Sequence, residues 1–305
     1  MSAGRRVLLA AADSPRLGRF VQRYGFRLGA SRFVAGESLD AAVPVLRALN
    51  DKGLLTNTTL LGEGVTTEAE TAAVVAAYRE LLDRIAAEGL RTNVALKLTH
   101  LGLAFDEDLA HRNVAALIEH AARYGNFIRI DMEESARVDA TLRIYRRLRE
   151  AGYDNVGAVL QSYLYRSEDD LAALLPLTPN LRLVKGAYLE PAGVAYPEKS
   201  DVDAAYVRLL DTALTGAGFT AIATHDEKLI EHAVAFTSEY EIPKERFQFQ
   251  MLYGVRPKLQ LDLVGRGYAV LVAAPYGPDW YRYLMRRLAE RPANVLFLLR
   301  NLIRG

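Results

Sequence analysis

The chain has 305 residues, half of them apolar, with 38 Lys and Arg against 37 Asp and Glu. That composition fits one large folded unit and excludes a disordered chain, and the near balance of charge gives no global pull toward nucleic acid or anionic lipid. There is no cysteine, which excludes disulfides, thiolate metal sites and cysteine nucleophiles.

From the N-terminus, Arg5 and Arg6 precede an apolar stretch, Val7–Ala12, that runs straight into Asp13 and Arg16. It is short for a signal h-region, and no window approaches the roughly 20 apolar residues of a membrane span. A soluble, cytoplasmic protein is expected. Residues 1–53 read as a helical arm. Asp13-Ser14-Pro15 is a helix start, Ser38 can cap a helix through about Asn50, and Gly53 can end it.

Eight short apolar segments then recur: Thr58–Gly62, Val94–Leu98, Phe127–Met132, Val156–Gln161, Leu181–Gly186, Thr220–Thr224, Phe247–Leu252 and Tyr268–Pro275. Helical patterns separate them. Thr66-Thr67-Glu68 opens a helix through Glu88 with Gly89 as its stop; the others span Phe105–Tyr124, Asp139–Ala151, Ser167–Leu175, Asp201–Thr215, Glu227–Tyr240 and Pro257–Val264. Most segments read as continuous apolar runs, which suit strands buried on both sides. Strand–helix alternation repeated eight times predicts a closed parallel (βα)8 barrel over residues 54–305, with an open doubly wound sheet as the alternative closure. Pro278-Asp279 opens a further helix to about Glu290, and Pro292 starts another.

In a parallel barrel the C-terminal strand ends form the site. The polar residues there are Glu63, Lys97, Asp131, Gln161, Lys185, His225, Gln250 and Tyr276. Lys97 and Lys185 have apolar neighbours. They read either as salt-bridge partners, for instance of Asp131 or Glu63, or as site lysines that form a Schiff base or bind an anion. Arg286-Arg287 lie three and four residues from Tyr283 and Glu290, which is either a solvated charged face or a clamp for a carboxylate. The five histidines have no spacing that would place two metal ligands on one helix face, so no metal is expected. Gly216–Ala221 matches G-x-G-x-x-A but follows a helix and opens a strand, the reverse of a dinucleotide fingerprint. G-x-S-x-G is absent.

Five ordered strings carry a resemblance. Arg182–Tyr188, Ala223-Thr224-His225, Phe249–Gly254, Pro275-Tyr276-Gly277 and Tyr283–Glu290 together resemble the proline dehydrogenase family, in its stand-alone bacterial form. The likeness runs from about Leu61 to Asn294. It implies a distorted (βα)8 barrel that holds FAD non-covalently, oxidises L-proline to Δ1-pyrroline-5-carboxylate and passes electrons to a membrane quinone. Transient contact with a membrane surface and a neighbouring pyrroline-carboxylate dehydrogenase are implied as well. By the resemblance, Lys97, Arg286 and Arg287 bind the substrate carboxylate, Asp131 lies near the substrate ring, and Leu252, Tyr276 and Tyr283 wall the pocket. Glu290 supports the arginines. Met132, Gln161, Arg182, Val184, Lys185, Gly186, Ala187, Thr224 and His225 lie along the flavin, with Arg182 beside its reactive ring. Leu189, Gln248 and Arg291 depart from residues common in the family. The resemblance also implies that the helix bearing Tyr283 to Glu290 lies over the barrel mouth and not in the outer ring. A Schiff-base lyase on the same barrel, using Lys97 or Lys185, is the competing reading.

Overall fold

The computed structural model describes residues 30–62, 65–281 and 283–285. A helix, α1 (Leu39–Asn50), precedes eight strands that close in sequence order: β1 (Leu55–Thr58), β2 (Thr92–Leu96), β3 (Ile128–Ile130), β4 (Val156–Gln161), β5 (Asn180–Val184), β6 (Phe219–Ala223), β7 (Phe247–Leu252) and β8 (Val270–Ala273). Every neighbouring pair is parallel, including β1 with β8. The crossover helices are α2 (Glu68–Ala87), α3 (Glu107–Ala122), α4 (Val138–Glu150), α5 (Ser167–Leu174), α6 (Lys199–Thr215), α7 (Glu227–Glu239) and α8 (Pro257–Gly265). The closed barrel is therefore the architecture, and the open sheet is excluded.

Local chemistry sets the helix ends. Ser38 caps α1 by accepting from the Ala41 N–H. Thr67 and Glu70 form a reciprocal capping box on α2, satisfying two donors that a helix start leaves open. Gly53 and Gly89 take φ of 83° and 60° just past α1 and α2, a conformation that favours glycine.

The first strand differs from its predicted place. It runs over Leu55–Thr58, and Leu60 makes only an isolated bridge to Tyr276. The run Thr58–Gly62 is the more apolar of the two. However, Thr56 and Thr58 find hydroxyl partners in Thr92 and the Ala274 carbonyl, which lets a polar strand sit buried.

Cα partners across a ladder point to the same face, and faces alternate along each strand. The register therefore sorts the barrel into two sets. Facing the helices are Val94, Leu96, Ile128, Ile130, Leu181, Leu183, Phe247, Phe249, Val270 and Val272, all buried. Facing the barrel axis are Asn57, Asn93, Arg129, Asp131, Gly157, Gln161, Arg182, Gln248 and Gln250. The apolar core thus lies between sheet and helices. Strands β3, β5 and β7 alternate apolar and polar residues instead of running continuously apolar.

A second, smaller apolar cluster joins Phe33 and Val34 to Trp280, Tyr281, Leu284 and Met285, with Leu61, Val255 and Tyr283 against it. Leu61 follows β1 and Val255 follows β7, so the start of the last helix packs over the C-terminal mouth, as expected. Trp280 is fully buried and its Nε1 donates to Glu37 at 2.8 Å. Arg286, Arg287 and Glu290, like Glu63, lie outside the described residues.

Candidate active site

Arg182 projects from β5 toward the barrel axis and bonds to three other walls at once. Its Nε donates to Gln250 Oε1 on β7 at 2.6 Å, one terminal nitrogen to Asp131 Oδ1 at 2.8 Å, and the other to Asn57 Oδ1 on β1 at 3.3 Å. Asn57 in turn donates to Asn93 Oδ1 on β2 at 2.5 Å. These groups come chiefly from the odd-numbered strands, the arrangement by which parallel barrels fill one interior layer. Here the layer is polar. Burial pushes the Arg182 guanidinium below its ordinary pKa, and the Asp131 carboxylate opposes that fall.

The remaining strand ends surround this layer. By parity Lys97 faces inward at the end of β2, and its charge helps to hold down the pKa of Glu133. Glu133 accepts from the Thr99 N–H at 3.1 Å and from its hydroxyl at 2.6 Å. Gln161 is buried at the end of β4. Its amide donates to the Glu133 carbonyl, while its Oε1 has no hydrogen-bond partner among the described residues. Such an orphan is rare in native interiors and calls for a partner. Met132 is buried, and Val184 is half-buried beside the layer. Leu252 faces inward at the end of β7, and its N–H donates to His225 Nε2 at 2.9 Å. That bond places the ring proton of a neutral His225 on Nδ1. Thr224 is buried and accepts from the Asp226 N–H. Tyr276 is buried with its backbone bridged to both Gly36 and Leu60, and Tyr283 sits at the edge of the mouth cluster.

Lys185 differs from its expected surroundings. It follows β5 and faces away from the axis. Its Nζ pairs with Asp203 at 2.5 Å and Asp226 at 3.0 Å, at the starts of α6 and α7, and, among the described residues, not with the expected Asp131. Burial disfavours ionisation of both carboxyls, but the bonds and charge of Lys185, with Lys199 nearby, outweigh it and hold them below the usual range. A cleft of about 380 Å³ opens beside this cluster, lined by Lys199, Asp203, Asp226 and Lys228 among others. The adjoining Gly186 has φ of 112°, and a side chain there would press into the Tyr163 ring. Ala187 continues the same loop. Glu190, farther along it, accepts from the Ser135 N–H and hydroxyl, both at 2.6 Å, and ties the loop after β5 to the one after β3.

The structure therefore brings Lys97, Asp131, Gln161, Arg182, Val184 and Leu252 to one mouth, with His225 bonded at its rim, while Met132 follows β3 on the outward parity and is buried in the main apolar core. Lys185 pairs with the two carboxylates that line an adjoining cleft. Asn57, Asn93, Arg129 and Glu133 also belong to this interior and were not anticipated. A shared odd-strand parity could have found Asn57, had β1 been placed correctly.

The family model described as proline dehydrogenase matches residues 42–300. The chain belongs to the proline dehydrogenase family. It is 43% identical over 305 residues to proline dehydrogenase of Deinococcus radiodurans, covering 99% of this chain and 98% of that one. It is 40% identical over 300 residues to proline dehydrogenase 1 of Bacillus subtilis, covering 98% and 99%. The bifunctional protein PutA of Escherichia coli is 27% identical, over 90% of this chain and 24% of its own length. Among solved structures, proline utilization A from Bdellovibrio bacteriovorus inactivated by N-propargylglycine aligns with a TM-score of 0.82 and 25% identity, over 89% of this chain and 33% of that one. The chain is a proline dehydrogenase, an oxidoreductase of proline catabolism built on a (βα)8 barrel.

Proposed function

We propose that the enzyme oxidises L-proline to Δ1-pyrroline-5-carboxylate with non-covalently held FAD, and passes the electrons to a membrane quinone. The single observation that carries this reading is the buried polar layer around Arg182 at the C-terminal mouth. A bound flavin would supply the hydride acceptor, and the residues present fit such a group. Gln161 offers an unpartnered buried acceptor for a ring N–H. Arg182 offers a fixed cation where negative charge develops on reduction. Lys199 and Lys228 line a cleft at the starts of α6 and α7, where a pyrophosphate would meet helix N-termini.

The chain's own groups handle the substrate. Proline is a small zwitterion, so its carboxylate needs cations and its ring an apolar wall. Lys97 faces the mouth. Arg286 and Arg287 follow in sequence on the segment that packs over it, and Glu290 would hold their forks. Leu252, Tyr276 and Tyr283 supply the wall and exclude water. Asp131 anchors Arg182 and faces the side from which the ring would enter. Holding the substrate in one orientation turns the transfer into an effectively intramolecular step. Contact with a membrane surface would follow from the quinone.

Anaerobic addition of L-proline to the purified protein should bleach a visible flavin spectrum. Absence of flavin, or a spectrum that proline leaves unchanged, overturns the assignment. A lyase acting through Lys97 or Lys185 would instead give an adduct trapped by borohydride. No observation favours it, since Lys185 is held by two carboxylates.

A further inference from the structure

We propose that Arg129 tunes the reaction from a distance, its charge keeping the barrel interior beneath the mouth positive alongside that of Arg182. Arg129 lies on β3, two residues before Asp131 and on the same inward face. It is 2% exposed. One terminal nitrogen donates to the Ala158 carbonyl at 2.9 Å and the Asn180 carbonyl at 2.7 Å, and the other bonds to Asn180 Oδ1. The guanidinium carbon lies 4.9 Å from the centre of the Phe127 ring. Space for it is made by Gly157, where any Cβ would press directly on the guanidinium.

All three hydrogen-bond acceptors are neutral. Isolated buried charges are normally paired with an opposite charge. Here the nearest carboxylate, Asp131, is engaged by Arg182. Two guanidinium groups, on β3 and β5, thus face the same interior, and among the described residues Asp131 is the carboxylate whose charge reaches both. Burial, and then the nearby Arg182 charge, push Arg129 down to about 9, which leaves it protonated at neutral pH. An uncompensated cation in a weakly screened interior is a lasting source of positive potential. A fold needing only to fill this space would place an apolar side chain there, as parallel barrels usually do.

The consequence rests on the flavin reading above. A positive interior stabilises added negative charge at the mouth, so Arg129 should raise the potential of a bound flavin without touching it. Two variants of the holoenzyme test this. Arg129→Met removes the charge. Asn180→Asp keeps Arg129 and its geometry but supplies a carboxylate at the same position. Flavin midpoint potentials are measured by dye equilibration and thermal stability is measured in parallel. Both variants should shift the potential to more negative values, and Asn180→Asp should do so with no loss of stability. Arg129→Lys, which keeps the charge, should stay nearest the wild type. If Arg129→Met does not fold, Asn180→Asp decides alone. A folded Asn180→Asp enzyme with an unchanged potential overturns the proposal, as does Arg129→Met losing stability without a change in potential. A protein that binds no flavin overturns the functional reading itself, which makes the two failures distinguishable.

Discussion

Glu133 holds its carboxyl in a nearly closed site, where burial pushes it above the ordinary glutamate range against the pull of Thr99 and Lys97. A raised folded pKa means that the folded state keeps the proton more tightly than the unfolded chain. The associated stability is fully present below the unfolded value near 4.5 and is lost as pH rises through the raised folded value. Glu133→Gln removes that ionisation and keeps an oxygen for Thr99. Thermal melts should show a higher Tm than wild type at neutral pH, with the gain shrinking as the pH falls toward 4.5. A lower Tm at neutral pH refutes the assignment. Arg182 makes a contrasting case. Arg182→Lys keeps the charge but cannot reach Gln250, Asp131 and Asn57 together. Steady-state kinetics should show kcat/KM reduced by about a hundredfold or more, and denaturant titration a stability loss of roughly 2–4 kcal/mol from buried partners left unsatisfied. A variant within threefold of wild type on kcat/KM would contradict this. At this scale the sequence made strand-end chemistry readable: Lys97, Asp131 and Gln161 stand where polar groups end apolar strands, whereas Arg182, in the middle of β5, was reached only through the resemblance. It hid Asn57, because Leu-Thr-Asn-Thr does not look like a buried strand until its hydroxyls have partners. It also hid the carboxylates around Lys185, which come from helix starts distant in the chain.

Among elements, the helix ends were the most legible part of the fold, because caps and glycine stops act within a few residues. Ser38, Thr67 and Gly89 all mark ends that the structure shares. Ladder register was less legible, since it depends on closure of the whole sheet. The segment after β8 carries the clearest functional test. Trp280 is fully buried and bonded to Glu37, so it pins the start of the last helix to the chain just before α1. Trp280→Phe removes that bond and leaves a gap beneath Leu284. Enzyme assays should show a KM for proline raised several-fold with kcat changed less, because the segment carrying Tyr283 would be held less firmly over the mouth. A kcat loss with constant KM would instead tie Trp280 to the chemical step.

For the whole molecule, barrel closure and charge balance bear on how substrate arrives. The chain carries a formal charge of +1 at pH 7, and proline is a neutral zwitterion. Long-range steering therefore has little to act on, and the ion pairs of the interior layer are buried enough to be weakly screened. The kcat/KM for proline should stay within about twofold between roughly 0.05 and 0.5 M salt, the range over which surface steering would be lost. A fall of tenfold would mean that exposed cations capture the substrate before it reaches the mouth. Eightfold repetition made the barrel legible in the sequence; closure was not, since no local signal states that β1 meets β8.

The bonding of Arg182 also limits what can approach it. A guanidinium has five N–H groups in one plane. Three are directed to separate walls of the barrel, which fixes the plane in both tilt and rotation. Among the described residues the other two have no partner. Set against the described residues alone, a newcomer at the mouth can therefore be met by at most two of the Arg182 donors. Its orientation is set by the barrel before it arrives, as a key is turned by a lock that does not itself move.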